Sequence, residues 1–268
     1  MDDVKHKRLE KKINHAMGKA LAEWNMIAAG DRILIAVSGG KDSLALLHFI
    51  KMFQKKAPVP FEYAAVNIDQ KHPEFPRDVL PGLFEEWRVP YFIQEFDSYS
   101  IVKSKVREGD IPCALCSRLR RGQLHAAARE NGFNKVALGH HKDDIVQTFL
   151  LNLFFSGQLS TMPPRYQPEK ENLEIIRPLC NVEEAWIEEY AALRGWPLIP
   201  CSYCGSQPDR KRRQMQQLLN DLQTRYPDIK NSIFAALHNP HPGMLYSRAL
   251  WKGEVPRVGD YPVGRYAP

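Results

Sequence analysis

The sequence predicts a doubly wound α/β domain built on a parallel sheet, preceded by an N-terminal helix and followed by a helical, cysteine-bearing extension. Two observations carry this expectation. Apolar runs of strand length alternate with helical periodicities between residues 31 and 199, and strands that alternate with helices at this spacing form parallel sheets with right-handed crossovers. The first run, ILIAV at 33–37, is apolar throughout, as a strand buried on both faces must be, and leads through a glycine-rich turn into a helix.

The elements follow in order. Residues 3–28 read as an amphipathic helix, with Ile13, Met17, Leu21, Trp24 and Ala28 at helical spacing and lysines on the other faces. Gly30 and Asp31 end it. After the strand at 33–37 comes a helix over 42–53, then a strand at 63–69 that ends in polar residues. Pro73 and Pro76 break the chain before a helix reaching to about residue 88, and 91–96 reads as a third strand. A helix over 114–131, a short strand at 135–139 and a helix over 143–155 continue the alternation. Beyond Pro164 the pattern changes to a loop, a strand-like 174–179 and a helix over about 182–194. A basic helix near 209–225 and a proline-rich end complete the chain. The organisation expected is an N-terminal basic helix at 1–30, the α/β domain at 31–199 and the extension at 200–268.

The 268 residues are 44% hydrophobic and 25% charged, ordinary for a globular protein. No apolar run reaches the ~18–20 residues that a membrane span requires. The charged N-terminus lacks the apolar core of a secretory signal, so a cytoplasmic protein with no membrane partner is expected. A net charge of +6 points to an anionic partner.

Ser38-Gly39-Gly40-Lys41-Asp42-Ser43 lies between a strand and a helix. Such a turn aims several backbone N–H groups from a helix N-terminus at a phosphate, and glycines let the backbone approach it closely. Lys41 adds a cation, Ser38 and Ser43 add hydroxyls, and Asp42 suits a helix cap or Mg²⁺. A turn needing glycine only for its φ angles would leave these four side chains unexplained. The spacing is not that of the Walker A loop. It resembles the PP-loop ATP pyrophosphatase superfamily, whose SGGxDS turn grips the pyrophosphate of ATP while a substrate is adenylated. Leu138-Gly139-His140-His141-Lys142-Asp143-Asp144 is a second match to it, at the carboxyl end of a strand where doubly wound folds place ligands. Gly139 and His140 are candidate nucleotide contacts. Asp143 and Asp144 either cap the next helix or coordinate Mg²⁺, and Asp69 ends its strand on the same rim.

Four of the five cysteines form two Cys-x-x-Cys pairs, Cys113/Cys116 and Cys201/Cys204, while Cys180 reads as a small buried apolar residue. Three readings compete. A four-cysteine zinc site is weakened by the long separation of the pairs. A zinc deaminase would pair His72-Pro73-Glu74 with Pro112-Cys113-Ala114-Leu115-Cys116. Pro73 and Pro76 disfavour the helix that such a His and Glu require, and that reading ignores the phosphate turn. An iron–sulfur cluster with incomplete protein ligation makes sense beside an ATP site.

CALCSRLRRG at 113–122, ALGHHKDD at 137–144, MPPR at 162–165, IRPL at 176–179 and IPCSYCGSQP at 199–208 resemble the tRNA 2-thiocytidine synthetase family. NMIAAGDRILIAVSGGKDS at 25–43 and AVNIDQKHPEFP at 65–76 match it as well. The resemblance implies ATP, Mg²⁺ and a [4Fe-4S] cluster held by Cys113, Cys116 and Cys204, acting on a cytidine of the tRNA anticodon loop. It places catalysis on Lys41, Asp42 and Asp144. Spacing alone does not separate Cys201 from Cys204. Arg118, Arg120 and Arg121 follow the first pair, and Arg210, Lys211, Arg212 and Arg213 the second; these are candidate contacts to tRNA phosphates, or else solvated helix faces. A sulfur donor, either a cysteine desulfurase or inorganic sulfide, and a homodimer complete the expected partners. A sister enzyme acting on another base and a zinc-stabilised RNA-binding protein are the alternatives.

Overall fold

A computed structural model describes residues 2–105, 113–169, 172–199, 210–241 and 245 of the chain. Helix α1 (Asp2–Glu23) buries Leu9, Ile13, Met17 and Leu21 along one stripe. It stops short of the expected end because Asn25 turns left-handed at φ 46° and Met26 N donates back to Leu21 O at 3.0 Å. That is the Schellman closure of a helix C-terminus. Met26 is buried beyond it, and Ala28 is exposed rather than on the apolar stripe.

The alternation then runs β1 (Arg32–Ala36), α2 (Lys41–Gln54), β2 (Glu62–Asp69), α3 (Val79–Glu86) and β3 (Tyr91–Glu95). It continues α4 (Ser98–Lys105), α5 (Cys113–Glu130), β4 (Lys135–Ala137) and α6 (Lys142–Ser156). The two-residue β5 (Arg165–Tyr166), β6 (Glu174–Ile176), α7 (Glu184–Arg194), α8 (Arg210–Arg225) and α9 (Ile229–His238) follow. The expected strand at 174–179 ends early, because 178–181 turn before α7.

The six strands lie in the order β3-β2-β1-β4-β6-β5. All pairings are parallel except β5 against β6. β1 is central: Ile33 and Ile35 face Tyr63 and Ala65 on one side, Lys135 and Ala137 on the other. From β1 the chain builds outward through β2 and β3, then returns to add β4 on β1's other edge. Strand order therefore reverses between β1 and β4, the switch point at whose carboxyl end doubly wound sheets bind ligands.

Both faces of the sheet are covered. Leu34, Val66, Val136 and Ile175 pack with Leu124, Ala127 and Ala128 of α5, and α2 buries Leu44, Leu46, Leu47, Phe49 and Ile50. One buried charge is built into the frame. Lys135 Nζ lies 2.8 Å from Asp31 Oδ2 and donates to Met26 O, while Asn134 Nδ2 donates to Asp31 Oδ1. Burial pushes the Asp31 carboxyl up, but these bonds and that from Ala28 N outweigh it and hold its pKa below the usual value. The pair ties the segment after α1 to the sheet, and breaking it leaves a buried unpaired charge.

The chain divides into two compact units, residues 1–218 and 219–268. The first holds the whole sheet and helices α1 to α7; α9 belongs to the second. Among the described residues no helix is long and apolar enough to cross a membrane.

Candidate active site

The turn after β1 is held by its own serines. Ser38 N donates to Ser43 Oγ at 3.2 Å, and Ser43 Oγ donates to Gly40 O at 2.9 Å. With the Ser43 proton so used, Ser38 Oγ is the donor in the 3.3 Å contact between the two hydroxyls. Gly39 sits at φ +90°, and a Cβ there would lie 2.8 Å from Ile199 Cβ. Only glycine fits. Gly40 caps α2 with extended backbone and no side-chain bond. The amides of Gly39, Lys41, Asp42 and Ser43 find no acceptor among the described residues, leaving a nest of donors at a helix N-terminus.

The segment after β4 meets this turn directly. A Cβ on Gly139 would lie 3.0 Å from the Asp42 carbonyl carbon and oxygen, so the two backbones pass in contact. His141 caps α6: its Nδ1 accepts from Asp144 N at 3.4 Å, and Asp144 Oδ2 accepts from His141 N at 3.2 Å. Asp143 Oδ2 accepts from Glu184 N at 2.8 Å and so satisfies the first turn of α7. Both aspartates therefore serve as helix caps.

Carboxylates gather around this contact. Lys41 Nζ donates to Glu184 Oε1 at 2.8 Å and to Asp42 Oδ2 at 3.3 Å. Burial pulls the Lys41 pKa down, but Asp42 and Glu184 outweigh it and hold it above the ordinary value. Burial likewise pushes Asp42 up, against the pull of His141 and Lys41. Oδ1 of Asp42 is shut from solvent without a hydrogen bond; Lys41 Nζ lies 3.3 Å from it and His141 Nε2 3.7 Å. An orphaned carboxylate oxygen beside orphaned amides fits a hard cation carrying phosphate oxygens. A cavity of about 260 Å³ adjoins it, lined by His141, Asp144, Glu184, Arg212 and Arg213 among others.

His140 is held differently. Its Nδ1 accepts from Arg177 Nε at 3.2 Å, and Arg177 also donates to the Pro163 carbonyl. Burial, then Arg177, pushes the His140 pKa down to about 4.

The remaining candidates scatter around the same rim. Asp69 is buried but engaged, with Oδ1 accepting from Lys71 N at 2.8 Å and Oδ2 3.3 Å from Arg77 Nε. Cys113 opens α5 and Cys116 follows one turn later, half-buried, its Sγ donating to Gln70 Oε1 at 3.0 Å just past β2. A thiol on a carboxyl-rim helix suits a soft metal centre. Cys201 and Cys204 lie outside the described residues, as does the side chain of Cys113. Arg118 and Arg121 are exposed on α5 and Arg120 half-buried, with Arg121 close enough to bear on Arg177. On α8, Lys211 lies over the Phe155 ring at 4.8 Å and Arg212 Nη2 lies 3.5 Å from Asp144 Oδ1. Cys180 is buried and its pKa pushed up to about 12, as a core thiol's should be.

Glu184 and Arg177 were not expected at this site, and His141 was expected there with no assigned role. Glu184 reaches Lys41 across 143 residues of sequence, a pairing no local pattern announces. Arg177 carries a hint, a charge set between the apolar Ile176 and Pro178 at a strand end.

Comparison with known proteins follows the same lines. The family model described as a PP-loop domain matches residues 6–199. A tRNA-cytidine(32) 2-sulfurtransferase from Acinetobacter baumannii is 49% identical over 249 residues, which cover 92% of this chain and 82% of the relative. One of the same description from a Shewanella species is 44% identical over 260 residues, covering 94% and 84%. Among solved structures, the U34-tRNA thiolase NcsA from Methanococcus maripaludis with its [4Fe-4S] cluster superposes with a TM-score of 0.71 over 87% of this chain and 79% of its own. Its 21% identity makes this a likeness of fold.

Proposed function

The chain belongs to the tRNA-cytidine(32) 2-sulfurtransferase family of PP-loop proteins, and from that premise we propose that it thiolates a tRNA anticodon-loop cytidine at C2 with ATP as activator. The observation that most supports this is the meeting of two segments at the sheet's switch point. There the turn that carries the free amides and the orphaned Asp42 carboxylate oxygen passes its Asp42–Ser43 backbone against Gly139.

In this reading the amides of Gly39, Lys41, Asp42 and Ser43, with the Ser38 hydroxyl and Gly40, cradle the pyrophosphate. Asp42 and Asp144 hold Mg²⁺, and Asp143 keeps Glu184 and Lys41 in place behind them. Gly139 and His140 touch the nucleotide. Asp69 fixes the loop after β2 at the rim. The cytidine O2 attacks the α-phosphorus and pyrophosphate leaves; sulfur then adds at C2 and AMP departs with the original oxygen. The protein's share is positioning and neutralising charge in a preformed site. Cys113, Cys116 and Cys204 hold a [4Fe-4S] cluster, which when bound supplies the sulfur for that exchange. Arg118, Arg120, Arg121, Lys211, Arg212 and Arg213 seat tRNA phosphates. The regions 1–30, 31–199 and 200–268 divide the work into a basic arm, an ATP domain and a cluster-and-tRNA extension. The enzyme works in the cytoplasm as a homodimer, fed by a cysteine desulfurase or inorganic sulfide.

The test is anaerobic incubation with unmodified tRNA, ATP, Mg²⁺ and sulfide, followed by mass analysis of the nucleosides and assay of AMP. One 2-thiocytidine per AMP released, from protein holding about four irons per chain, is the expected result. Thiolation of another base would move the chain to a sister activity. A colourless zinc protein that binds tRNA without releasing AMP would overturn the reading.

A further inference from the structure

The ring of His140 stands at the carboxyl end of β4, one residue beyond the glycine that touches the Asp42 backbone. Its Nδ1 faces Arg177 Nε at 3.2 Å. An arginine only donates, so Nδ1 must accept, and a neutral ring then carries its proton on Nε2. Among the described residues Nε2 has no partner. Arg177 itself has little freedom. It is 6% exposed, donates to the Pro163 carbonyl, lies 5.2 Å from the Tyr166 ring centroid, and its own amide donates to Pro164 O at 2.8 Å.

We propose that Arg177 is a positioning residue that fixes His140 as a neutral Nε2–H donor for an oxygen of the bound substrate. The consequence is a restriction. With Nδ1 occupied by a guanidinium and Nε2 already protonated, His140 can neither take nor give up a proton during turnover. Its service is one hydrogen bond to a phosphoryl or carbonyl oxygen where negative charge develops. The charges around the ring agree. Burial and the positive charges of Arg177 and Arg212 disfavour the imidazolium, and Asp144 opposes them. The oxygen acceptor rests on the function proposed above; the tautomer does not.

The first test is a nitrogen-15 NMR spectrum of the full-length protein labelled at histidine, with His140 assigned by its loss in His140→Gln. The free wild-type protein should show the neutral Nε2–H tautomer from pH 8 down to pH 5. An Nδ1–H tautomer, or an imidazolium at pH 6, overturns the proposal. Arg177→Met should release the ring to a tautomer mixture that titrates nearer 6.5, and Arg177→Lys should hold the lock in part. Should Arg177→Met fail to fold, the wild-type spectrum still decides.

The second test adds probes. A shift of the Nε2 signal with ATP and Mg²⁺ alone assigns the acceptor to a phosphoryl oxygen, and a shift only when tRNA is added assigns it to the base carbonyl. No shift with either, while both bind, overturns the donor role. Protein that binds neither probe would count against the proposed function and leave the tautomer to the free spectrum. In kinetics, His140→Gln keeps an N–H near the Nε2 position and should retain kcat within about tenfold, whereas His140→Ala should lose about 10²–10³. Equal losses in the two variants would instead indicate proton transfer by the ring.

Discussion

At Gly139 and Gly39 the absence of a side chain has two different causes, and the two alanine variants should fail in different ways. Gly39 is left-handed and pressed on Ile199, so Gly39→Ala adds backbone strain and a clash. A loss of about 1–3 kcal/mol in denaturant unfolding is expected. Gly139 has no left-handed φ; its added methyl would meet the Asp42 carbonyl at 3.0 Å and the Ser43 nitrogen at 3.1 Å. Gly139→Ala should therefore shift the phosphate turn by a fraction of an ångström, with kcat/KM for ATP falling at least about tenfold and little change in stability. Equal stability losses in both variants would count against this division. Thiols divide by burial in the same way. Iodoacetamide should label the half-buried Cys116 in folded, metal-free protein and spare Cys180, whose thiol is held up at about 12. The serines, glycines and Asp42 of the turn were legible in sequence because they are contiguous. Glu184 and Arg177 were not, since each acts through a partner brought near only by the sheet, Lys41 in one case and His140 in the other.

Helices α1, α2 and α7 are joined through one half-buried polar chain, and its chemistry predicts their pH response. His48 of α2 lies 3.0 Å from the Tyr190 hydroxyl of α7, which donates to Glu10 of α1 at 3.0 Å. With the tyrosine proton committed to Glu10, the His48 Nε2 must be the donor to Tyr190. Burial, aided by Arg194 and Lys51, pushes the His48 pKa from 6.5 to about 4. A folded pKa below the unfolded one means that unfolding takes up a proton as pH falls through this window. The stability is therefore present above 6.5 and lost progressively towards 4. His48→Gln, which keeps a donor but cannot titrate, should flatten that loss by on the order of 2–3 kcal/mol between pH 7 and pH 4. An unchanged acid limb in urea unfolding would show that other groups control it. Asp143→Ala should cost about 1 kcal/mol by uncapping α7. At this scale most periodic helices and the long central strands were legible, while α4, β5 and α9 were not. α4 is rich in serine and β-branched residues that carry weak helix preference, and β5 is two residues long, existing only as a partner for β6. α1 was overrun because Asn25, not Gly30, supplies its left-handed cap.

Over the whole molecule, the net charge of +6 becomes functional only if cations gather where carboxylates do not cancel them. Around the switch point the balance is local. Lys41 is committed to Glu184 and Asp42, Lys71 lies 2.6 Å from Glu95, and Lys135 is locked on Asp31 inside the core. Arg212 is half-exposed and, among the described residues, pairs only with Asp144, and Arg213 lines the same cavity. Phosphates of a bound RNA would therefore find these two arginines of α8 and the exposed Arg118 and Arg121 of α5, not the lysines of the frame. Sequence assigned Lys41 to phosphate and picked out the arginines after the cysteine pairs by their clustering, but nothing local to Lys41 reveals its carboxylate partners. The ranking can be measured by salt dependence. Each phosphate contact contributes about 0.7–0.9 to the slope of log K against log salt, through release of condensed counterions. Arg213→Ala should weaken tRNA binding and lower that slope by about one contact's worth, whereas Lys71→Ala should leave the slope unchanged. Arg212→Ala should lower it too and free Asp144, so its effect on ATP turnover should exceed that of Arg213→Ala. If the two α8 variants leave the slope at the wild-type value, the basic start of α8 is a solvated face, and the seat for the tRNA backbone must be sought on α5.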